Sequence, residues 1–115
     1  MTLSNNDRFA AIDIGTNSFH LIIVEDKDGG KLKLLDRERE FLRLGSELGE
    51  DLSFISDKEK VKAISVLKKF SALANYHKAT LRAVSTSAVR EAKNKNEFIN
   101  AVFKQTGIKV ETIEG

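Results

Sequence analysis

The run Asp13-Ile14-Gly15-Thr16-Asn17-Ser18 sets a carboxylate, a glycine and three short hydroxyl or amide side chains between two apolar segments, Phe9-Ala10-Ala11-Ile12 and Phe19-His20-Leu21-Ile22-Ile23-Val24. A carboxylate ending a buried strand is costly unless something there uses its charge. Glycine permits a tight turn, the N–H groups of such a turn can converge on an anion, and its side chains add donors. The chemistry this suits is phosphate binding, with Gly15, Thr16, Asn17 and Ser18 as the cradle and Asp13 serving a metal ion or the reacting phosphoryl group. A second set is Ser85-Thr86-Ser87-Ala88-Val89-Arg90. Hydroxyls and helix N-terminal amides at Thr86 and Ser87 can hold an anion. Arg90 adds a planar, permanently charged clamp suited to phosphate. Residue types alone leave plainer readings open. The first run is also an ordinary hairpin turn in which Asp and Asn bond their own backbone and glycine supplies positive φ. In the second, Ser or Thr caps a helix and Arg90 is solvated. Arg43 either reaches a ligand or is an edge charge. His20 reads as a packed or edge residue, His77 as a helix-end charge, and the lysine-rich helix face as solvated. The first run is not a Walker loop, which needs Gly-Lys-Ser/Thr before a helix, whereas here a strand follows.

The elements that must position these groups follow from the apolar pattern. Strands are expected at 8–14, 19–25 and 31–43, with a Gly-rich turn at 26–30. The first two lie too close for a crossover helix, so they pair antiparallel. The first is apolar at nearly every position, which implies burial on both faces. The third mixes Leu and charge and reads as an edge strand. A glycine-spaced loop occupies 44–51. Ser56 with Glu59 forms a capping box that opens a helix ending near 75–77, with Val61, Ile64, Leu67, Phe70 or Ser71, and Ala74 on its buried face. A short strand at 81–84, a helical turn at 88–92, a helix at 97–105 capped by Asn94 or Asn96 and a strand at 108–113 complete the chain. The second helix buries Phe98, Ile99, Val102 and Phe103, and Gly107 ends it. The order is βββ-α-β-α-β, an α/β fold. The last two strands lie parallel to the first through right-handed crossovers.

The whole chain narrows the classes. Its 115 residues suit one compact domain. With 19 basic and 17 acidic residues well mixed, it offers no basic platform for nucleic acid. No apolar run is long enough to cross a bilayer, and the polar start lacks a signal-peptide core. The expectation is a cytoplasmic protein. There is no cysteine, which excludes disulfides, zinc ribbons and thiol chemistry.

Taken together, Ala11-Ile12-Asp13-Ile14-Gly15-Thr16-Asn17-Ser18-Phe19-His20-Leu21, Arg43-Leu44-Gly45 and Ala83-Val84-Ser85-Thr86-Ser87-Ala88-Val89-Arg90-Glu91-Ala92-Lys93-Asn94 closely resemble the start of the exopolyphosphatase/guanosine pentaphosphate phosphohydrolase family. The resemblance covers essentially the whole chain. It implies a ribonuclease-H-like domain of the actin-like ATPase superfamily. It also implies release of terminal phosphate from inorganic polyphosphate, or of the 5′ γ-phosphate from guanosine pentaphosphate, with Mg²⁺ or a similar divalent ion. In that light 13–18 matches the family's first phosphate motif, and Arg90 matches an active-site arginine. The family's catalytic glutamate would lie beyond Gly115, in a Glu-Glu-Ala segment, and Glu114 precedes the glycine and is not given that role. A second, Asp-Ile-Gly-Gly-Gly-Ser type motif is not in the chain either. The expectation is therefore the first part of the first lobe of a longer enzyme, with a homodimer possible for the whole protein and little turnover by the 115 residues alone. The alternatives are a non-catalytic phosphate or alarmone-binding module and a lobe of an actin-like kinase or ATPase.

Overall fold

Three strands fold back on one another as a meander: β1 (Asp7–Ile14), β2 (Ser18–Lys27) and β3 (Lys31–Phe41). The chain then runs through helix α1 (Asp57–Tyr76), strand β4 (Thr80–Ser85), a short helix α2 (Ser87–Arg90), helix α3 (Lys95–Thr106) and strand β5 (Val110–Thr112). The structure is a computed structural model and describes residues 7–27, 30–44 and 54–113. The loop expected at 44–51 lies outside the described residues beyond Leu44. The five strands form one sheet in the order β3-β2-β1-β4-β5. β1 pairs antiparallel with β2 and parallel with β4, and β4 pairs parallel with β5. This is the ribonuclease-H-like arrangement that the resemblance implies, with β3 at an edge and β1 at the centre.

Burial alternates along the strands, and this corrects the expectation of a two-sided β1. Ala10, Ile12 and Ile14 are buried, while Phe9, Ala11 and Asp13 are exposed. Ile22 of β2 shares the exposed side, because it pairs with Ala11. The core lies on the other side, where Phe19, Leu21 and Ile23 meet Ile64, Leu67 and Phe70 of α1 and Phe98 and Val102 of α3. Asp13 is therefore a solvent-facing carboxylate at a strand end, not a buried one.

α1 starts at the expected capping box: the Glu59 amide donates to Ser56 Oγ, and the Ser56 amide donates to Glu59 Oε1. Its buried face is rotated from the reading by Val61, which is exposed, and Ala63 takes the core position. A β-branched apolar residue at helical spacing could not by itself distinguish the two. Phe103 of α3 is likewise exposed. Asn94 occupies the N-cap position of α3 but makes no side-chain cap bond. Instead its amide accepts from the Ile55 N–H at 3.0 Å and donates to the Ile55 carbonyl at 2.8 Å, tying the start of α3 to the segment before α1. Gly107 closes α3 in the left-handed region, at φ 79°.

Candidate phosphate-binding site

The register fixes where the candidate groups meet. Ile14 lies opposite Ser85, and Ser85 lies opposite Thr112. The segments that follow β1, β4 and β5 therefore leave the sheet side by side, at one end. Open α/β sheets bind ligands outside the carboxyl ends of their strands.

Gly15, Thr16 and Asn17 make the connection between β1 and β2. The Gly15 amide donates to the Ser18 carbonyl at 3.0 Å. A Cβ on Gly15 would stand 2.8 Å from that same oxygen, and this close approach is what requires glycine. Positive φ, the reason offered by the hairpin reading, does not apply: Gly30 and Gly107 are the described glycines with positive φ. The Asn17 and Thr16 carbonyls accept from the amides of Leu42 and Leu44, at 2.9 and 3.1 Å. The chain after β3 is thus laid along the turn, and exposed Arg43 sits between its two anchor points. Those carbonyls are engaged, and the Thr16 and Asn17 N–H groups have no acceptor among the described residues. The Ser18 hydroxyl lies 2.9 Å from His20 Nε2. His20 is the cross-strand partner of Asp13, so Asp13, Ser18 and His20 share the uncovered face.

Ser85, expected in the turn after β4, is the last residue of that strand and fully buried. Its hydroxyl donates to the Ile14 carbonyl at 2.9 Å and accepts from the Val89 amide at 3.3 Å. Sequence reasoning missed this role, because a serine in a hydroxyl-rich run is indistinguishable from its neighbours until the strand register buries it. The two bonds lock the end of β1, and hence the turn that follows it, to α2. Ser85→Ala strips both partners of a buried bond, which costs about 1–3 kcal/mol. In urea the unfolding free energy falls by that amount, through a lower midpoint with an unchanged slope.

Thr86 leads into α2, where its carbonyl accepts from the Arg90 amide at 3.2 Å. The side chain of Ser87 lies outside what the structure describes. Arg90 projects from α2 toward β5. Its Nη1 donates to the Ile113 carbonyl at 3.1 Å, and its Nε and Nη2 both donate to Glu91 Oε2 at 3.2 Å. The guanidinium is thus tied both to the end of the sheet and to a neighbouring carboxylate. Elsewhere on the uncovered face, the Arg82 guanidinium grips Glu111 at 2.8 and 3.3 Å and holds its carboxyl below the usual range.

For a divalent ion the donor set is sparse. No group of three or more His, Cys, Asp or Glu among the described residues is placed to hold a metal. Asp13 is exposed and has no hydrogen-bond or ion-pair partner among the described residues. A single carboxylate next to the turn fits Mg²⁺, which keeps several waters and takes one or two carboxylates plus substrate phosphates. His77 caps α1 and lies 3.8 Å from Asp36, away from this end of the sheet.

Residues 22–115 match the model of the Ppx/GppA phosphatase family. The chain is 32% identical over 118 aligned residues to a bifunctional 3-dehydroquinate synthase/phosphatase of Fusobacterium nucleatum, covering 96% of this chain and 18% of that protein. It is 31% identical to exopolyphosphatase 1 of Mycobacterium tuberculosis, covering 94% of this chain and 31% of the relative. Among solved structures, the Ppx/GppA phosphatase of Aquifex aeolicus superposes with a TM-score of 0.86 at 35% identity, over 94% of this chain and 36% of that one. The chain thus spans about a third or less of the length of these relatives.

Proposed function

The chain belongs to the Ppx/GppA phosphatase family, and from that premise we propose that it supplies the phosphate-gripping part of a phosphoanhydride hydrolase. The substrate class is a terminal phosphoryl group on inorganic polyphosphate or on guanosine pentaphosphate. The observation that carries this is the convergence of the Gly15–Thr16–Asn17 turn, Arg43 and Arg90 at adjacent strand ends. A solely structural hairpin does not need arginines at this same end of the sheet, one in the segment anchored on the turn and one bonded at the end of β5.

In this reading the Thr16 and Asn17 amides and the Ser18 hydroxyl bind the non-bridging oxygens of the terminal phosphoryl group. Thr86 and Ser87 hold the phosphate beside it, and Arg43 steadies the chain of phosphates. Arg90 exchanges Glu91 for substrate oxygen and stabilises the charge that develops as the bond to the leaving oxygen breaks. Asp13 would hold Mg²⁺ or a similar ion, which when bound neutralises charge on the reacting and leaving oxygens. Orientation of the attacking water falls to the glutamate that the resemblance places after residue 115. Binding by the 115 residues is then separable from turnover by the longer protein. The reading assigns no role to nucleic acid or to a membrane, and none to a second copy of the chain.

The test is release of inorganic phosphate by the protein that carries this chain, from long-chain polyphosphate and from guanosine pentaphosphate, with and without Mg²⁺. Release from at least one of them, lost on Asp13→Ala, is the expected result. No release from either, or ATP-dependent phosphorylation of a small molecule instead, overturns it in favour of the binding-module or kinase alternative.

A further inference from the structure

We propose that His20 is a positioning residue for the phosphate turn: as the Nε2–H tautomer it donates to Ser18 Oγ, and so leaves the serine proton free for the bound anion. The inference rests on the phosphate-binding reading of the turn and adds to it the residue that sets the polarity of one of its donors.

The geometry is short and local. Ser18 Oγ and His20 Nε2 are 2.9 Å apart, two residues along β2 and on the same side of the sheet. A hydroxyl has one proton and two lone pairs. If Ser18 donates to the imidazole, its outward surface is lone pairs alone, and a phosphate oxygen arriving at the turn meets repulsion. If the imidazole donates to Ser18, the single hydroxyl proton turns outward and joins the N–H groups of Thr16 and Asn17. The two arrangements use the same atoms at the same distance and are exchanged by moving one ring proton. An anion in the turn binds only the second, so the anion and the Nε2–H tautomer select each other. Nothing comparable operates at Thr16, whose side chain makes no bond to the protein among the described residues.

His20 has register partners on both flanking strands. Across β1 its partner is Asp13, and across β3 its partner is Arg39, whose guanidinium lies 5.6 Å from the centre of the Phe41 ring. Ser18 itself pairs with Phe41. The imidazole thus stands in a row of side chains on the bare face, with one ring nitrogen committed to the turn.

The test uses the 115-residue chain and inorganic tripolyphosphate, titrated by NMR in alkaline buffer without added metal. Ser18→Ala weakens tripolyphosphate about 3–10-fold, the value of one donor in such a site. His20→Ala, which leaves the hydroxyl proton in place but unoriented, weakens it by a smaller factor. The double variant is no weaker than Ser18→Ala alone, because His20 acts only through the Ser18 hydroxyl. His20→Gln, whose amide N–H can reach the same oxygen, recovers most of the affinity. In the native chain, ring ¹⁵N shifts move toward the protonated-nitrogen position at Nε2 as tripolyphosphate is added. Losses that multiply in the double variant, failed rescue by Gln, or ring shifts indifferent to the anion overturn the role of His20. No binding by the native chain overturns the reading beneath it.

Discussion

Arg90→Ala lowers kcat for terminal phosphate release by about 10²–10³-fold, the usual cost of one donor aimed at developing transition-state charge. Arg90→Lys recovers only part of this, because an ammonium cannot present two parallel N–H groups to a phosphoryl oxygen pair. The expectation follows from where the guanidinium is held. α2 is only Ser87–Arg90, so its backbone alone could not fix a long side chain. The Ile113 carbonyl does so through Nη1, placing the head group between the ends of β4 and β5. Its Nε and Nη2 also donate to Glu91, whose side chain is exposed. An exposed pair of this kind is worth about 0–1 kcal/mol, so a polyanion displaces the carboxylate at little cost. Glu91 is then a stand-in for substrate, and Glu91→Gln leaves kcat nearly unchanged or lowers KM. Steady-state kinetics on polyphosphate and guanosine pentaphosphate separate the outcomes. Equal losses from Arg90→Ala and Glu91→Gln would make the pair structural and remove Arg90 from the reaction.

How much of this was legible in the sequence depends on which interactions are local. The capping box at Ser56 and Glu59 and the glycine stop at Gly107 are short-range, and both stand as read. The pairing of β1 with β2 followed from loop length, and the parallel placement of β4 and β5 from their crossovers. The errors lie where an apolar residue has two plausible surroundings. Phe9 and Ile22 look like core residues by type, yet they occupy the face that α1 and α3 do not cover. Val61 fits the helical spacing as well as Ala63 does, and only packing distinguishes them. At the site, the two runs were visible as residue types, but their bonds were not. The anchoring of Leu42 and Leu44 on the turn brings Arg43 in, and the Ser85 lock joins the turn to α2. Both are tertiary contacts with no periodic signature.

Gly15→Ala weakens tripolyphosphate binding by more than about 10-fold, which corresponds to over 1.4 kcal/mol, and Gly15→Val weakens it further. The cause is steric rather than conformational. Gly15 does not require positive φ, so alanine there would ordinarily be neutral or mildly stabilising through the unfolded chain. Its Cβ, however, meets the Ser18 carbonyl at 2.8 Å, and that oxygen already accepts from the Gly15 amide. Neither atom is the end of a flexible side chain, so the turn opens, at a cost of about 1–3 kcal/mol typical of overpacking. Moving the Ser18 carbonyl moves the Ser18 hydroxyl with it. The Thr16 and Asn17 carbonyls then shift against the Leu44 and Leu42 amides, so Arg43 is displaced too. Gly107→Ala is the matched control. There no heavy atom lies within 4 Å of the added Cβ, but φ is 79°. The strain is of order 1–2 kcal/mol and lies away from the turn. Gly107→Ala therefore loses stability and keeps its tripolyphosphate affinity, whereas Gly15→Ala loses both. If Gly15→Ala were destabilised in urea yet bound tripolyphosphate as tightly as the native chain, the close approach would serve only the hairpin, and the donors of this turn would not be the anion grip.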